Sequence, residues 1–400
     1  MVIGIFFIVY LGMFLGSLPY LALDRSGIAL LAAIFLIIFG SFTSSELVQA
    51  IDWSTIAMLF GLMIVSAQFY FSGFYALIAH RAANLKVTPR LFLLFVILIS
   101  GLLSAALIND IVCLALTPLF TTICLNRGWK PLPFLLGLVA ASNIGSAMTV
   151  MGNPQNILIS ETLELSFTGY FFDAAIPAFF GLFWIWGVLC YQTRGRWTQP
   201  PIKSQEKISY NYWQISKGVG VVTILLLFFF LSPVPRYQIT LAAAGVLLLS
   251  RRMASNTTLG FIDWQLLVLF MGLFLTNAAF LKTDLAHDIV AWMQEHYFVT
   301  SGLAKLYAAG VVLSNIVSNV PAVMLLLPFA KTALQGSILA LSSTLAGNLL
   351  LVGSISNLIV VSKAKEQGVL ITWKEHFKSG LPITLGSILL SIVWLYLRHN

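Results

Sequence analysis

Two short polar motifs interrupt long apolar runs, and their residue types can bind ions. Asn109 and Asp110 form the polar break in one run, and Ser318 and Asn319 form the break in another. Amide and carboxylate oxygens are ligands for hard cations, while amide N–H groups can donate to an anion. Asp110 is the one acidic residue in these two apolar runs. At a membrane centre its carboxylate would cost roughly 2.5–3.5 kcal/mol, so it predicts a proton or Na⁺ site near Asn109, Asp110 and Asn319.

A second pair of motifs combines asparagine with residues that break helices. The first is Gly152-Asn153-Pro154-Gln155-Asn156, and the second, Gly353-Ser354-Ile355-Ser356-Asn357, lacks the proline. Proline removes a backbone donor and glycine permits irregular geometry, so a helix is predicted to break at each motif. The candidate binding residues are Asn109, Asp110, Gly152, Asn153, Pro154, Asn156, Ser318, Asn319, Gly353, Ser354 and Asn357, together with Ser104, Asn143, Ser314 and Asn315.

A structural explanation competes with ion binding at both polar breaks. An asparagine or aspartate at a turn can cap the helix that follows, and a proline is tolerated in the first helical turn. The recurrence of the pattern in both halves favours binding, because capping alone does not require it. For Asp110 the two alternatives are an N-cap carboxylate and a coupling site for Na⁺ or H⁺. No motif for a bound cofactor is present.

The composition requires a membrane setting for these motifs. The 400 residues are 59% hydrophobic and 9% charged, with a mean hydropathy of +0.94, whereas about a quarter of a soluble chain is charged. The fold class is therefore an all-α polytopic membrane protein in the lipid bilayer. At about 20 residues per span, the length leaves no room for a soluble enzymatic domain. The net charge of +8 is assigned to cytoplasmic loops and not to nucleic-acid binding.

Hydropathy predicts ten spanning helices and two shorter insertions. The spans lie near residues 2–23, 26–42, 54–78, 133–160, 168–191, 213–232, 238–250, 264–281, 338–361 and 379–397. Residues 91–125 and 302–333 are too long for one span and too short for two, so each predicts a re-entrant hairpin. The polar segment 282–297 predicts an interfacial helix with solvated charges. Residues 133–160 and 338–361 contain the predicted breaks.

The distribution of basic residues predicts the orientation. With both termini outside and hairpins returning to their own side, five of the 22 basic residues lie outside: Arg236, Lys282, Lys305, Lys331 and Arg398. The remainder lie in cytoplasmic segments, as expected for a protein of a bacterial inner membrane or plasma membrane. The longest polar stretch, residues 194–212, is predicted to be a cytoplasmic linker.

An internal repeat relates the two sides of this linker. Ile51-Asp52-Trp53 recurs as Ile262-Asp263-Trp264, and further matches follow in the same order at offsets of 201 to 211 residues. The predicted spans run in opposite directions, so residues 1–193 and 213–400 form two inverted repeats. Inverted repeats with interrupted helices are typical of secondary transporters. An intramembrane enzyme lacks support because no paired acids or protease motifs occur, and a channel would need a pore-lining ring of charge.

The motifs together resemble the ion transporter superfamily, which includes arsenite permeases, Na⁺/H⁺ antiporters, citrate transporters and divalent-anion/Na⁺ symporters. The resemblance covers the chain and is concentrated in Asn109-Asp110 with Thr117-Pro118, in Gly152 to Asn156, and in Ser318-Asn319-Val320-Pro321. At the turn of the first predicted hairpin the chain has Asn109-Asp110, which looks more like the arsenite-permease and antiporter branches. Dicarboxylate transporters have Ser-Asn-Thr at this turn. The resemblance implies elevator-type alternating access and a homodimer.

The predicted function is secondary active transport of a small anion or arsenite-like oxyacid, coupled to Na⁺ or H⁺. The alternative within transport is a Na⁺/H⁺ antiporter without an anionic substrate.

The topology can be tested by single cysteines in a background without Cys113, Cys124 and Cys190. Cysteines at Lys86 and Lys130 should react with an impermeant thiol reagent only from the cytoplasm, because both flank one hairpin. A cysteine at Glu164 should react only from outside. Labelling of positions 86 and 130 from opposite sides would contradict the hairpin.

Overall fold

The chain is almost entirely helical. The computed structural model describes residues 1–16, 22–202, 209–250, 253–293 and 302–399. Within these ranges there are twenty α-helices and one isolated antiparallel bridge, between Trp129 and Thr198. Seven of the helices are long and apolar enough to cross a membrane. The protein is therefore a multi-pass helical membrane protein.

The helices are bounded as follows. They are α1 (Val2–Leu15), α2 (Arg25–Ile38), α3 (Ser44–Gln49), α4 (Trp53–Phe71), α5 (Phe74–Ala83), α6 (Pro89–Ala106), α7 (Asn109–Asn126), α8 (Leu132–Ser146), α9 (Pro154–Thr162), α10 (Phe167–Gln192), α11 (Tyr212–Leu231), α12 (Arg236–Leu248), α13 (Ser255–Gly260), α14 (Trp264–Leu281), α15 (Asp284–Trp292), α16 (Gly302–Val317), α17 (Asn319–Leu326), α18 (Ala333–Ala346), α19 (Ile355–Glu366) and α20 (Trp373–His399).

Several helices are shorter than hydropathy predicted, because glycine ends them where the apolar sequence continues. Helix α1 ends at Leu15, since Gly16 has a φ of 80°, a left-handed conformation that closes a helix without steric cost. Helix α4 ends at Phe71, and Gly73 with a φ of 76° precedes α5. The helices of spanning length in the described part of the chain are α4, α10, α11, α14 and α20 from the predicted spans, and α6 and α7 from the first hairpin.

Both predicted hairpins are pairs of helices joined by short turns. Helices α6 and α7 have 18 residues each and are separated by Leu107 and Ile108. Helices α16 and α17 are separated by Ser318. The second hairpin ends before the predicted residue 333, because Ala333 begins α18. The Thr332 side chain caps α18 by accepting a hydrogen bond from the backbone N–H of Gln335.

The predicted broken helices are both interrupted. The first, predicted over 133–160, consists of α8 and α9 with a gap at residues 147–153. The second, predicted over 338–361, consists of α18 and α19 with a gap at 347–354 that includes a short 3₁₀ turn at Leu351–Gly353.

Some predicted segments extend beyond the described ranges. The interfacial helix is α15, shorter than the predicted 282–297, and residues 294–297 lie outside those ranges. Residues 17–21 of the first predicted span and 203–208 of the predicted linker also lie outside them.

Helices from the two halves of the chain pack against one another in matching positions. A Cβ placed on Gly61 of α4 would lie 3.0 Å from the carbonyl oxygen of Thr240 in α12. A Cβ on Gly272 of α14 would lie 2.6 Å from the carbonyl oxygen of Ala29 in α2. Gly272 lies 211 residues after Gly61, and Thr240 lies 211 residues after Ala29. The sequence repeat is therefore also a repeat of packing contacts.

The helices form two packing groups. Helices α1, α2, α4, α11, α12 and α14 form the first, which we call the scaffold group. The hairpins, the broken helices, α10 and α20 form the second, which we call the core group. In the core group, Gly101 of α6 and Gly145 of α8 bring two backbones into contact.

Charged contacts outside the spans join segments that the topology prediction places on the same side. Lys282 Nζ lies 2.8 Å from Glu46 Oε1, and a hydrogen bond from this ammonium lowers the pKa of Glu46 to about 2. At the other predicted side, Arg127 donates to the carbonyl oxygens of Ala83 and Leu85. These contacts agree with the predicted division into two sides, and which side is outside stays a prediction.

The close approach of α6 and α8 gives a stability prediction. A Cβ on Gly145 would lie 2.2 Å from the Gly101 carbonyl oxygen, which cannot move independently of α6. Gly145→Ala should therefore lower the melting temperature by the equivalent of about 1–3 kcal/mol. Gly187→Ala is the matched control, because a Cβ placed on this glycine of α10 would have no neighbouring atom within 4 Å. Equal melting temperatures for the two variants would contradict the packing.

Candidate functional site

The first turns of four helices meet at a small cavity in the interior. The helices are α7 and α17, which follow the hairpin turns, and α9 and α19, which follow the breaks. The cavity has a volume of about 30 Å³ and is lined by Arg25, Asn109, Asp110, Pro154, Gln155, Leu269, Ser318, Asn319, Val320, Pro321, Ser354 and Ile355. Each helix N-terminus carries about half a positive charge from its aligned peptide dipoles. The cavity therefore combines positive backbone ends with amide, hydroxyl and carboxylate groups.

Each hairpin turn is hydrogen-bonded to the broken helix of the other half of the chain. Asn109 Nδ2 donates to Ser356 Oγ at 2.9 Å. With the Asn319 amide oriented to satisfy its neighbours, its oxygen accepts from Gln155 Nε2 at 3.2 Å. Gln155 and Ser356 are 201 residues apart, the offset that relates the two breaks. The site is thus assembled reciprocally, and neither half of the chain forms it alone.

The polar side chains of the turns do not cap the helices that they begin. The N-cap residues of α7 and α17 are Ile108 and Ser318, and neither forms a side-chain capping bond. The carboxylate of Asp110 instead accepts a hydrogen bond from the hydroxyl of Ser356. Side-chain capping therefore does not account for Asn109 or Asn319, whereas Asp110 stands in the first turn of α7, where a carboxylate also interacts favourably with the helix dipole.

The backbone at the second turn is in an unusual conformation. Ser318 has a φ of 76° and a ψ of 163°, a region that glycine occupies easily and other residues rarely. Residues in such regions cost about 1–3 kcal/mol and cluster at ligand sites. The next residue, Asn319, anchors this turn, because its side-chain amide nitrogen donates to the carbonyl oxygens of Ser343 and Gly353 at 3.0 and 2.8 Å.

Asn156 and Asn357 close the two helix breaks by the same contacts. Asn156 Nδ2 donates to the carbonyl oxygens of Ser146 and Thr149 at 3.4 and 3.2 Å. Asn357 Nδ2 donates to those of Gly347 and Leu350 at 2.7 and 3.0 Å. In each case the carbonyls lie ten and seven residues earlier. The two amides replace helical hydrogen bonds that the breaks remove.

The two breaks are joined through Asn143 and Thr344, which are also 201 residues apart. Asn143 Nδ2 donates to Asn357 Oδ1 at 3.0 Å, and its oxygen accepts from Ser354 Oγ at 3.0 Å. Thr344 Oγ1 donates to Asn156 Oδ1 at 3.2 Å and accepts from Asn153 Nδ2 at 3.3 Å.

One acceptor in the cavity lacks a donor. Asn109 Oδ1 is buried and has no hydrogen-bond partner, although Asn109 Nδ2 is bonded to Ser356. Leaving a buried acceptor unpaired costs about 1–3 kcal/mol, so such an atom requires an explanation. The Asp110 carboxylate lines the same cavity. Two adjacent residues that line one cavity thus carry a carboxylate and an unpaired amide oxygen, which are the groups that a cation or a protonated ligand would satisfy.

The remaining predicted residues lie around this centre. Ser104 Oγ is hydrogen-bonded to Ser142 Oγ at 2.7 Å, behind the first break. Ser314 Oγ and Asn315 Oδ1 are buried without hydrogen-bond partners in α16, but they do not line the cavity. Gly152 and Gly353 allow close backbone approach, since a Cβ on Gly152 would lie 2.3 Å from the Ser146 carbonyl oxygen.

The sequence pattern did not indicate Gln155, Ser356, Thr344 or Arg25 as members of the site, nor Asn348, whose Oδ1 accepts from Asn143 Nδ2 at 2.8 Å. The first two stand inside the quoted break motifs, and the repeat offset pairs them, but they differ in residue type. It also missed Asp173, a second buried acid, whose carboxylate accepts from Ser337 and pairs with Arg398 at 2.7 Å. Asp173 lies in α10, away from the cavity.

The amide contacts separate structural asparagines from those available to a ligand. Asn156→Ala and Asn357→Ala should each lower the melting temperature strongly, because two buried carbonyls lose their donor at about 1–3 kcal/mol each. Asn109→Ala should change it less, because its oxygen is already unpaired. Thermal unfolding of the purified variants measures this order, and a larger loss for Asn109→Ala would contradict the assignment.

Comparison with known proteins identifies relatives of similar length. Inner membrane protein YbiR of Escherichia coli is 30% identical over 343 residues, covering 84% of this chain and 85% of that protein. The silicon efflux transporter LSI3 of Oryza sativa subsp. japonica is 26% identical over 450 residues, covering 92% of each chain. The crystal structure of the Alcanivorax borkumensis YdaH transporter has a TM-score of 0.58 at 15% identity, covering 100% of this chain and 97% of that one. At 15% identity, the similarity to the YdaH transporter shows a shared fold alone.

The family is given by a sequence profile that covers most of the chain. The profile of the citrate transporter family (CitMHS) matches residues 5–338. This range includes both hairpins, the first break and the start of α18. The chain is therefore a membrane transporter that belongs to the citrate transporter family.

Proposed function

We propose that this protein is a cation-coupled secondary active transporter of a small anion or oxyacid. The observation that carries the proposal is a cavity at which four helix N-termini meet, lined by Asp110 and by Asn109, whose Oδ1 is buried without a hydrogen-bond partner. A secondary transporter needs one interior site that can hold a cation and a solute together.

The oxygens of Asn109 and Asp110 form the proposed cation site, with Asn319 across the cavity. A volume of about 30 Å³ corresponds to one water molecule, and a dehydrated Na⁺ ion also fits. A cation there would pair with the buried carboxylate and give Asn109 Oδ1 a ligand. A proton on Asp110 would remove the charge in another way, so Na⁺ and H⁺ are both coupling ions of the proposal.

The solute class is supported by the helix N-termini and by the relatives. Backbone N–H groups at helix starts bind oxyanions and carboxylates. The family is named for citrate, and the rice relative is named for silicon efflux, which supports an oxygen-rich solute. Because the cavity is water-sized, a polyatomic solute requires the hairpin turns or the scaffold group to move apart.

The two helix groups support alternating access by an elevator-type movement within inverted repeats. Polar contacts between the groups occur at the end of α9, where Arg236 Nε lies 3.0 Å from Glu161 Oε1 and Thr162 Oγ1 donates to Asp52 Oδ2 at 3.3 Å. Movement of the core group must break these contacts. The proposal places the protein in the inner or plasma membrane with both termini outside, as a homodimer.

A Na⁺/H⁺ antiporter without an anionic substrate is the second candidate. The small cavity with one carboxylate favours it, because such a site fits a monatomic ion or a proton. The two candidates differ in whether an anion or oxyacid crosses the membrane with the ion gradient.

The coupling role of Asp110 can be tested in proteoliposomes. Asp110→Asn retains a hydrogen-bonding side chain of similar size but cannot exchange a proton for Na⁺. It should abolish solute accumulation driven by a Na⁺ or H⁺ gradient, reducing it at least tenfold, and should leave the melting temperature near that of the wild type. Solute exchange without a gradient should persist.

Asp173→Asn is the matched control, because Asp173 is also a buried acid of a membrane helix. It should lower stability by weakening the contact with Arg398, yet retain gradient-driven accumulation. Wild-type coupling in the Asp110 variant would remove this carboxylate from the mechanism. Gradient-driven Na⁺/H⁺ exchange without movement of any tested anion or oxyacid would favour the antiporter.

A further inference from the structure

We infer that Arg25 determines solute specificity by holding the negative charge of the transported solute in the central cavity. The inference rests on the proposed transport function and specifies the charge state of its substrate. Arg25 of the scaffold group lines a cavity that is otherwise built by the core group, apart from Leu269.

The short helices α1 and α2 bring Arg25 to this position. Each has 14 residues, which is about 21 Å at 1.5 Å per residue, whereas the hydrocarbon core of a bilayer is about 30 Å thick. The first residue of α2 can therefore lie below the membrane surface. Arg25, the first residue of α2, lines the same cavity as Asn109, Asp110 and Asn319.

The guanidinium of Arg25 retains free hydrogen-bond donors. Its Nε donates to the carbonyl oxygen of Met13 at 3.1 Å, which fixes the side chain beside α1. Within the described residues, no carboxylate lies within 4.0 Å of it, and its two terminal nitrogens have no protein acceptor. Arg25 is the one basic residue among those that line the cavity. A half-buried positive charge with unused donors is suited to an anionic ligand.

The repeat supplies an internal comparison, because Arg236 stands 211 residues after Arg25 at the start of α12. All three of its nitrogens contact protein: Nε lies 3.0 Å from Glu161 Oε1, and the terminal nitrogens donate to the carbonyl oxygens of Leu165 and Ser160 at 2.8 and 2.9 Å. The same residue at the equivalent position thus contacts protein through all three nitrogens in one half and through Nε alone in the other.

The chemistry of the free donors specifies the solute. The planar guanidinium offers two parallel N–H groups that match a carboxylate or an oxyanion, and the resulting bonds are charge-assisted. Asp110 would repel an anion in the same cavity unless a cation or proton neutralises it. Arg25 and a neutralised Asp110 together therefore select a negatively charged solute over an uncharged oxyacid.

The experiment measures ligand affinity by isothermal titration calorimetry with purified full-length protein in saturating Na⁺. The probes are citrate and inorganic phosphate as anions, and orthosilicic acid as an uncharged oxyacid at pH 7. The wild type should bind at least one anion. Arg25→Gln should weaken that binding at least tenfold and change any binding of orthosilicic acid less than twofold. Arg25→Lys should give an intermediate loss, since it keeps the charge but not the paired donors.

Arg236→Gln is the matched control at the equivalent position. It should lower the melting temperature, because Glu161 loses its partner, and should leave anion affinity within twofold of the wild type. A separate Na⁺ titration of Arg25→Gln should show Na⁺ binding at wild-type or higher affinity, because a positive charge near the cation site has been removed. Retained Na⁺ binding shows that the cavity is intact.

The outcomes separate this inference from the proposed function. Unchanged anion affinity in Arg25→Gln, or wild-type binding of orthosilicic acid alone, overturns the role of Arg25 while transport of a solute stands. A wild type that binds none of the three probes and transports none of them overturns the proposed solute transport and this inference together.

Discussion

A helix that stops inside a bilayer leaves backbone carbonyls and N–H groups without partners, and no water is present to satisfy them. This constraint governs the centre of the protein. Asn156 and Asn357 each supply an amide to two carbonyls released by a break, and Asn153 caps the helix that follows the first break. Once these groups are satisfied, the N-termini of α9 and α19 can remain in the interior with their positive ends directed at one cavity.

The hairpin turns complete this arrangement, and they do so across the repeat. Asn109 binds the second break and Asn319 binds the first, so each half of the chain supplies a partner that the other half lacks. A hydrogen-bonded network that closes only when both halves are present fixes the relative position of four helix starts. Asn109 Oδ1 is informative because, among the described residues that line the cavity, it is the one buried side-chain atom without a hydrogen-bond partner.

The sequence predicted a multi-pass, nearly all-helical membrane protein and the two helix interruptions, since composition and residues such as Pro154 act locally. It predicted helix ends poorly where glycine stops a helix within apolar sequence, as at Gly16 and Gly73. The error had a consequence at the site. A first helix extended to residue 23 places Arg25 in a loop at the membrane surface, whereas the shorter α1 and α2 place it at the cavity. Partners of different residue type were also beyond reach of sequence comparison, because a search for identical residues does not pair Gln155 with Ser356.

The central claim is that one cavity holds the coupling ion and the solute together, so their binding must be linked. The most direct measurement is the affinity of the purified protein for its solute as a function of Na⁺ concentration at fixed pH, and of pH without Na⁺. The account predicts that solute affinity rises with Na⁺ or with proton concentration, and that the solute raises the affinity for that ion by the same factor. Solute affinity that is independent of both ions would contradict it.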